Sequence, residues 1–498
     1  MMACVTAGPR SPGGGHFSDR LRTPAPVLRH RVGSGRGAIE QPNAGHDGEA
    51  ALTPRFWGLL AVTGIATGLL ADLMMAVLFH VEHAAYGYRA GSFAGAVGAV
   101  TPSRRLGLLL GAGVIGGIGW YLLRRVVPGR SEIDDALWSG SGELSFRRSL
   151  ATSVLSEIVI GLGVSLGRES APKLMGGAAG SLLARVTRLS PAQSRLLVAC
   201  GGGAGLAAVY DVPLGGALFT AEILVGSLAL PTVLPAVACA GIATVTGWLY
   251  LPDQATYPDI PGYHSSARII VWALVVGPLV GVLAAGYVRL LGWVSHHRVR
   301  GVGSLGAPLA AFGVLGVIGI SRPELLGNGK GIAHGAFVGS ATLALLLTLA
   351  VLKPLVTALC LASGASGGLF TPVLATGAAL GGGLGLLWSR AWSGSPVGAY
   401  AMVGATAMIG AAMQAPLAAL VLVVELTHTG FDLMVPMVLA TAAATAVTRH
   451  LDGYSIYSAR LPAHQKPAAP DVPRPEASNT APSTGTGTGP GTGGLSGR

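Results

Sequence analysis

The sequence predicts an all-α polytopic membrane protein with broken helices, on three observations. Its 498 residues have a mean hydropathy of +0.58, with 51% hydrophobic and only 11% charged residues, whereas charged residues form about a quarter of an ordinary soluble chain. Apolar runs close to the length of about 20 residues that spans a bilayer recur along the chain; they lie at 56–81, 106–123, 269–288, 341–361 and 431–448. The 77 glycines are typical of membrane helices that pack closely or are interrupted.

The membrane part is expected to occupy residues 53–462, between two disordered tails. Residues 1–52 are basic and rich in Gly, Pro and Ser, and they show neither apolar periodicity nor the pattern of a cleaved signal peptide. Residues 463–498 consist of Pro/Ala and then Thr/Gly/Pro/Ser repeats, which cannot build a core. We therefore expect no soluble regulatory domain after the membrane part.

The net charge of +11 does not indicate a nucleic-acid partner. Arginines occur as doublets between apolar runs, at 104–105, 124–125 and 147–148, and membrane loops carry orientation information in this way. The four cysteines lie far apart in the sequence, without metal spacing or a disulfide framework. We expect no nucleic acid, no metal and no cofactor.

The stretch Gly-Arg-Glu-Ser-Ala-Pro at 167–172 places an acid in the middle of the apolar chain. It joins an apolar helix predicted over about 149–166 to a second helix that begins near Pro172. Unpaired backbone N–H groups and the helix dipole make such a helix end an anion site. The Glu169 carboxylate can fill that site itself or leave it for a dissolved anion, and a plain capping acid is the competing interpretation.

The membrane part contains an internal repeat. The octapeptide PKLMGGAA at 172–179 matches PVLATGAA at 372–379 at five of eight positions, and Pro213 to Glu222 is answered by Pro416 to Glu425. We place the repeats at about 53–250 and 266–462. The second half has its own helix break at 363–372, so two helix N-termini, each carrying about half a positive charge, are predicted to meet at one anion site.

These motifs resemble the CLC family of chloride channels and proton/chloride antiporters, in its bacterial form without C-terminal CBS domains. The resemblance covers residues 56–462 and rests on GRExxP at 167–172, GGLFTP at 367–372 and Tyr457-Ser458-Ala459, in this order. It implies two inverted-topology repeats, and a homodimer in the cytoplasmic membrane with one anion pathway per subunit and both tails cytoplasmic.

The resemblance also implies roles for single residues. Glu169 would be the gating glutamate, whose carboxylate competes with the anion and withdraws when protonated. Leu369 and Phe370 would offer backbone N–H groups to the anion, and Tyr457 its phenol O–H. Further positions carried over are Gly167, Arg168, Pro128 and Gly129 for anion binding, with Lys353, Gly367 and Gly368 in supporting roles. A lysine reaching water from a helix end is the competing interpretation of Lys353.

Two departures from the family pattern bear on function. The family's Gly-Ser-Gly-Ile-Pro motif falls on 127–131, so its anion-binding serine is Pro128 here, as in some plant members that prefer nitrate. The Gly-Ser-Gly at 140–142 lies too close to Glu169 to replace that motif. The acid that family exchangers use on the internal proton route is Ile223 here, which cannot carry a proton. We interpret the preceding Glu222 as structural, because Glu425 mirrors it.

The sequence thus predicts transmembrane transport of chloride or a similar small anion, channel-like and gated by protonation of Glu169. Proton-coupled exchange and a carrier for nitrate or fluoride stay open as alternatives. A membrane-embedded serine hydrolase is a distant one, since Gly-x-Ser-x-Gly occurs at 163–167 and 364–368 without the strand and histidine that such a site needs. We do not expect the protein to be an enzyme. Asp72, in the middle of an apolar run, is predicted to be buried and paired, and a functional role is the open alternative.

Overall fold

The structure, a computed structural model, describes residues 50–129, 132–138, 142–429 and 431–461. The predicted tails lie almost wholly outside these ranges. Residues 140 and 141 of the Gly-Ser-Gly sequence at 140–142 also lie outside them. The helices of the first half are α1 Pro54–Tyr86, α2 Phe93–Ala99, α3 Pro102–Val126, α4 Ile133–Trp138, α5 Phe146–Gly161, α6 Ser170–Val186, α7 Pro191–Tyr210, α8 Pro213–Phe219 and α9 Leu230–Gly247. Those of the second half are α10 Ala267–His296, α11 Gly303–Ser321, α12 Lys330–Val338, α13 Leu343–Ala362, α14 Phe370–Ala391, α15 Val397–Met413, α16 Pro416–Thr427 and α17 Met434–Leu451.

Eight of these helices are long and apolar enough to cross a membrane. They are α1, α3, α9, α10, α11, α13, α14 and α17. Each of the five apolar runs found in the sequence lies within or largely overlaps one of them. No strand occurs within the described ranges, so the prediction of an all-α polytopic membrane protein is confirmed.

The internal repeat is visible in the packing of the helices. In the first half α6 packs on α7 and α1 packs on α9; in the second half α14 packs on α15 and α10 packs on α17. The two halves also meet directly, because α3 packs against α11 and α8 against α16. Corresponding helices thus pack together in both halves, as a duplication would produce.

Both helix breaks have the same construction in the two halves. The first helix was expected to run to about 166 but ends at Gly161, because Gly163 takes a φ of 107° that turns the chain out of the helix. In the second half α13 ends at Ala362 and Gly364 has a φ of 88°. The next helix, α6 or α14, then starts two residues before its proline. A proline in the first turn is tolerated because its missing N–H would have no helical partner.

Two acids hold the halves together by capping each other's helices. Glu425 accepts hydrogen bonds of 3.0 and 2.6 Å from backbone N–H groups in the first turn of α8. Glu222 accepts bonds of 3.3 and 2.7 Å from the first turn of α16. Each carboxylate thus satisfies N–H groups that the other half's short helix leaves unpaired. This geometry agrees with the interpretation of Glu222 as a structural acid.

Glycines set the distance between the helices that follow the breaks. A Cβ added to Gly176 of α6 would lie 2.0 Å from the carbonyl oxygen of Gly201 of α7, and a Cβ on Gly201 would lie 2.2 Å from that of Gly176. The obstacle is backbone on both sides and cannot rotate away. This close approach is typical of membrane helices that pack through small residues.

We predict that Gly176→Ala lowers the thermal unfolding temperature of the detergent-solubilised protein, since the added methyl must push α6 from α7 at a cost of about 1–3 kcal/mol. The matched control is Gly107→Ala on α3, where an added Cβ meets no atom within 4 Å. Intrinsic fluorescence on heating measures both. Equal unfolding temperatures for the two variants would contradict the packing assigned to Gly176.

Candidate anion site

The two central helices begin without a side-chain cap. Glu169 precedes α6 and Leu369 precedes α14, and neither makes a capping hydrogen bond to its own helix. Serine or threonine side chains cap seven other helices: α1, α2, α3, α5, α7, α10 and α13. The N–H groups at the two breaks therefore stay available to another acceptor, as an anion site requires.

A pair of backbone hydrogen bonds brings the breaks together. The N–H of Gly167 donates to the carbonyl of Gly368, and the N–H of Gly368 donates to the carbonyl of Gly167. The N···O distance is 2.7 Å in both bonds. A Cβ on Gly368 would lie 2.0 Å from Oε1 of Glu169, and one on Gly167 would lie 2.2 Å from it. Only glycine leaves room for the carboxylate here. The structure thus juxtaposes GRExxP and GGLFTP, which the sequence separates by 200 residues.

The Glu169 carboxylate lies at the N-terminus of the opposite repeat's helix. Its Oε1 accepts a 2.7 Å hydrogen bond from the backbone N–H of Phe370, and its Oε2 accepts a 3.2 Å bond from the hydroxyl of Thr371. Glu169 is only 4% exposed. The acid therefore does not cap its own helix, and it fills the position that the sequence assigned to a dissolved anion.

Tyr210, which the sequence analysis missed, also holds this carboxylate. Its phenol O–H lies 3.1 Å from Oε2 of Glu169 and 2.6 Å from the hydroxyl oxygen of Thr371. Tyr210 is the last residue of α7, 41 positions beyond Glu169. The one available signal was a tyrosine at the end of a helix whose preceding eight residues are Gly, Ala, Leu and Val.

A cavity of about 190 Å³, the first cavity, opens beside the carboxylate. Its wall includes Glu169, Gly367, Gly368, Leu369, Phe370 and Tyr457, so six of the predicted site residues share one space. Five basic side chains also line it: Arg124, Arg148, Lys173, Arg298 and Arg460. Its acids, among the described residues, are Glu132, Asp134 and Glu169. The wall carries more basic than acidic side chains whether Glu169 is ionised or protonated, which favours an anion.

Arg168 lies on the other side of Glu169. It lines a second cavity of about 930 Å³ together with Tyr210, and its guanidinium lies 5.1 Å from the ring centroid of Tyr210 and 5.8 Å from that of Phe79. Tyr210 borders the second cavity and bonds Glu169, which borders the first, so this contact lies between residues of the two cavities.

Five predicted site residues lie away from the wall of the first cavity: Arg168, Lys353, Gly167, Pro128 and Gly129. Gly167 shapes the site through its backbone bonds to Gly368. Pro128 and Gly129 precede α4 and do not belong to the wall of the first cavity; from α4 the cavity is lined by Ile133 and Asp134. Their part in anion binding remains a prediction, as do the transport roles of the other residues.

Lys353 is fully buried in the middle of α13, so it is not a lysine that reaches water from a helix end. Its Nζ donates hydrogen bonds of 2.7 Å to the Ser165 hydroxyl and to the Gly327 carbonyl. Ser165 belongs to the loop that ends in Glu169. The Lys353 side chain thus ties α13 to the loop that ends in Glu169.

Two further acids are buried without a complete set of partners. Asp72 of α1 is 8% exposed, as predicted, but its Oδ1 has no hydrogen-bond partner among the described residues, so the predicted pairing is not seen there. Glu157 of α5 is fully buried, and neither of its carboxylate oxygens finds a partner in the same part of the chain. The sequence analysis did not single out Glu157.

The hydrolase alternative loses its structural basis. Ser165 and Ser366 each follow an α-helix, whereas the hydrolase elbow needs a preceding strand. Ser165 is fully buried against Lys353. The backbone carbonyl of Ser366 accepts a hydrogen bond from Ser156. Both serines therefore lie in the connections that build the helix breaks.

Comparison with known proteins points to one family. The family model described as voltage gated chloride channel matches residues 110–449. A putative chloride channel protein, ClcB-like, of Ralstonia nicotianae is 32% identical over 376 residues, which cover 71% of this chain and 83% of that protein. An H⁺/Cl⁻ exchange transporter, ClcA, of Cronobacter sakazakii is 28% identical over 373 residues, which cover 69% and 77%.

Solved structures share the fold. A slow cyanobacterial Cl⁻/H⁺ antiporter superposes with a TM-score of 0.72 at 22% identity, covering 82% of this chain and 97% of that one. A CLC-type fluoride/proton antiporter superposes with a TM-score of 0.67 at 22% identity and the same coverage. The predicted fold class, with its two inverted-topology repeats, is confirmed.

An all-helical membrane fold in which two uncapped helix N-termini meet at a buried carboxylate defines an intramembrane anion-transport protein. The family match covers more than half of the chain. The chain belongs to the voltage gated chloride channel family, CLC.

We predict that Tyr210→Phe raises anion flux through reconstituted protein at neutral pH by roughly tenfold, because a lost hydrogen bond to the charged carboxylate weakens its hold on the site by about 1.4 kcal/mol. Chloride efflux from liposomes measures this. The control is Tyr400→Phe, a buried tyrosine whose hydroxyl has no partner in the described residues. A Tyr210→Phe flux equal to that of the control would mean that Tyr210 does not restrain Glu169.

Proposed function

We propose that this protein exchanges a small monovalent anion, chloride foremost, for protons across the cytoplasmic membrane, with Glu169 as the gate. The observation that carries the proposal is the contact of the Glu169 carboxylate with the N–H of Phe370 at an uncapped helix N-terminus. A carboxylate and a halide carry the same charge and accept from the same donors. The acid therefore competes directly with the transported anion.

The mechanism follows from what protonation does to this contact. Ionised Glu169 accepts three hydrogen bonds and fills the site. Protonation removes its negative charge, so the charge-assisted bonds weaken by about half, and an anion from the first cavity takes the vacated donors. When the anion leaves, the carboxylate loses its proton and returns. Glu169 thus takes up and releases one proton in each cycle of anion binding.

The names of the relatives favour exchange over the channel-like behaviour that the sequence suggested. The Cronobacter protein is called an exchange transporter and the cyanobacterial one an antiporter. A proton must then reach Glu169 without an acid at Ile223, which is buried and apolar. Asp134 lines the same cavity as Glu169, and this acid offers the proton another route.

A channel or uncoupled carrier is the second candidate, and Ile223 is the observation that favours it. Nitrate and fluoride are the competing substrates: Pro128 supports the first, and the resemblance to a fluoride/proton antiporter supports the second. We also propose a homodimer. The family resemblance implies one anion pathway in each subunit of that dimer.

The deciding experiment records chloride efflux and external pH together, from liposomes that carry the purified protein under a chloride gradient. Proton movement in fixed proportion to chloride would support exchange. Chloride flux without proton movement would overturn exchange in favour of the second candidate. Absence of chloride, nitrate and fluoride flux would overturn the transport proposal itself.

We predict that Glu169→Gln abolishes the pH dependence of anion flux and stops coupled proton movement, because the amide can neither take up the proton nor compete as a charge. Anion flux at neutral pH should rise above that of the parent. The matched control is Asp432→Asn, an exposed acid outside both cavities. A pH profile of Glu169→Gln that still follows the parent's would remove Glu169 from the gate.

A further inference from the structure

Lys173 is a charged residue of the first cavity that the proposed mechanism does not use. It lies on α6 one turn beyond Glu169, and its backbone N–H donates to the Glu169 carbonyl over 3.1 Å. Lys173 is 8% exposed, and it shares the cavity wall with Phe370 and Tyr457. A basic side chain therefore stands in the space that an anion must occupy on its way to the gate.

Two aromatic rings and one carboxylate surround this side chain. Nζ of Lys173 lies 4.6 Å from the ring centroid of Tyr457 and 5.7 Å from that of Phe219. Oδ2 of Asp134 is 3.5 Å away, longer than the roughly 2.7–2.9 Å of a well-formed charge-assisted bond. Asp134 is the one hydrogen-bond acceptor that Nζ finds in the described part of the chain. Since an ammonium has three N–H donors, donors remain for an additional acceptor.

Glu132, another acid of the first cavity, is paired with other basic residues and is not the counterion of Lys173. Glu132 lies 3.5 Å from Arg298 and 3.8 Å from Arg460, so arginines already neutralise it. Asp134 is thus the counterion of Lys173. The contact between them is long, so a competing anion can replace Asp134. Asp134 thus resembles Glu169, because each carboxylate occupies hydrogen-bond donors that an anion can also use.

The chain also lacks a donor that its relatives would be expected to have. The position that the resemblance assigns to an anion-binding serine is Pro128, and proline offers neither an N–H nor an O–H. A dehydrated anion needs replacements for its lost water donors. Within the first cavity, Lys173 presents donors beside Tyr457, the residue expected to bind the anion through its hydroxyl.

We propose that the Lys173 ammonium, together with Tyr457, forms an anion-binding site of the first cavity, in which the entering anion displaces Asp134. The inference rests on the proposed function and names a residue that determines its anion affinity. A charged donor binds more strongly than a neutral hydroxyl. Lysine is a compact point charge and not a planar fork, so the site suits a compact halide better than planar nitrate.

The test measures chloride and nitrate binding by calorimetry to purified protein carrying Glu169→Gln, in which the gate carboxylate no longer competes. Lys173→Met alone leaves Asp134 buried without its partner, which endangers folding. The decisive variant is therefore Lys173→Met with Asp134→Asn, which neutralises both members of the pair. Arg185→Met is the control, since it removes a positive charge from an exposed position on the same helix.

We expect the neutral pair to bind chloride at least about tenfold more weakly than its Glu169→Gln parent, with a smaller loss for nitrate. Asp134→Asn alone should tighten chloride binding, because it frees the ammonium. Unchanged chloride affinity in the neutral pair would overturn the Lys173 site and leave the proposed function standing. No binding of either anion to the Glu169→Gln parent would overturn the proposed function and this inference with it.

Discussion

The two hydrogen bonds between Gly167 and Gly368 are the contact on which the site depends. They join the loops in front of α6 and α14 and so bring two uncapped helix N-termini to one point. Each terminus carries about half a positive charge, and neither repeat alone offers both. Because a side chain at either glycine would occupy the place of the Glu169 carboxylate, the same two residues fix the backbone and make room for the anion's competitor.

Two carboxylates near this contact lie on donors that, in the proposed mechanism, an anion also uses. Glu169 lies on donors of the opposite repeat, and Asp134 lies beside Lys173 at a longer distance. Lys353 differs from both, because it bonds a hydroxyl and carbonyls and has no carboxylate to lose. It therefore makes a contact that holds the loop before Glu169, and an anion could not replace a carboxylate there.

The sequence predicted the membrane fold, the repeat, both helix breaks and the paired acids Glu222 and Glu425, because each of these leaves a local pattern or a repeated one. It did not predict Tyr210, whose contact with Glu169 depends on how α7 packs beside the start of α14. It also left open whether Lys353 faces water or protein, since an apolar run does not say which of its faces is buried. The orphaned Oδ1 of Asp72 could not be anticipated for the same reason.

The exchange of caps between the repeats has a consequence for biosynthesis. The first turn of α8 is satisfied by Glu425 and that of α16 by Glu222, and the loop before Glu169 is held by Lys353. The amino-terminal repeat thus leaves the ribosome before Glu425, which lies about 200 positions later and accepts from the first turn of α8, has been made. Contacts of such long sequence separation form late, so the first half must wait in the membrane, incompletely folded, until the second half is inserted beside it.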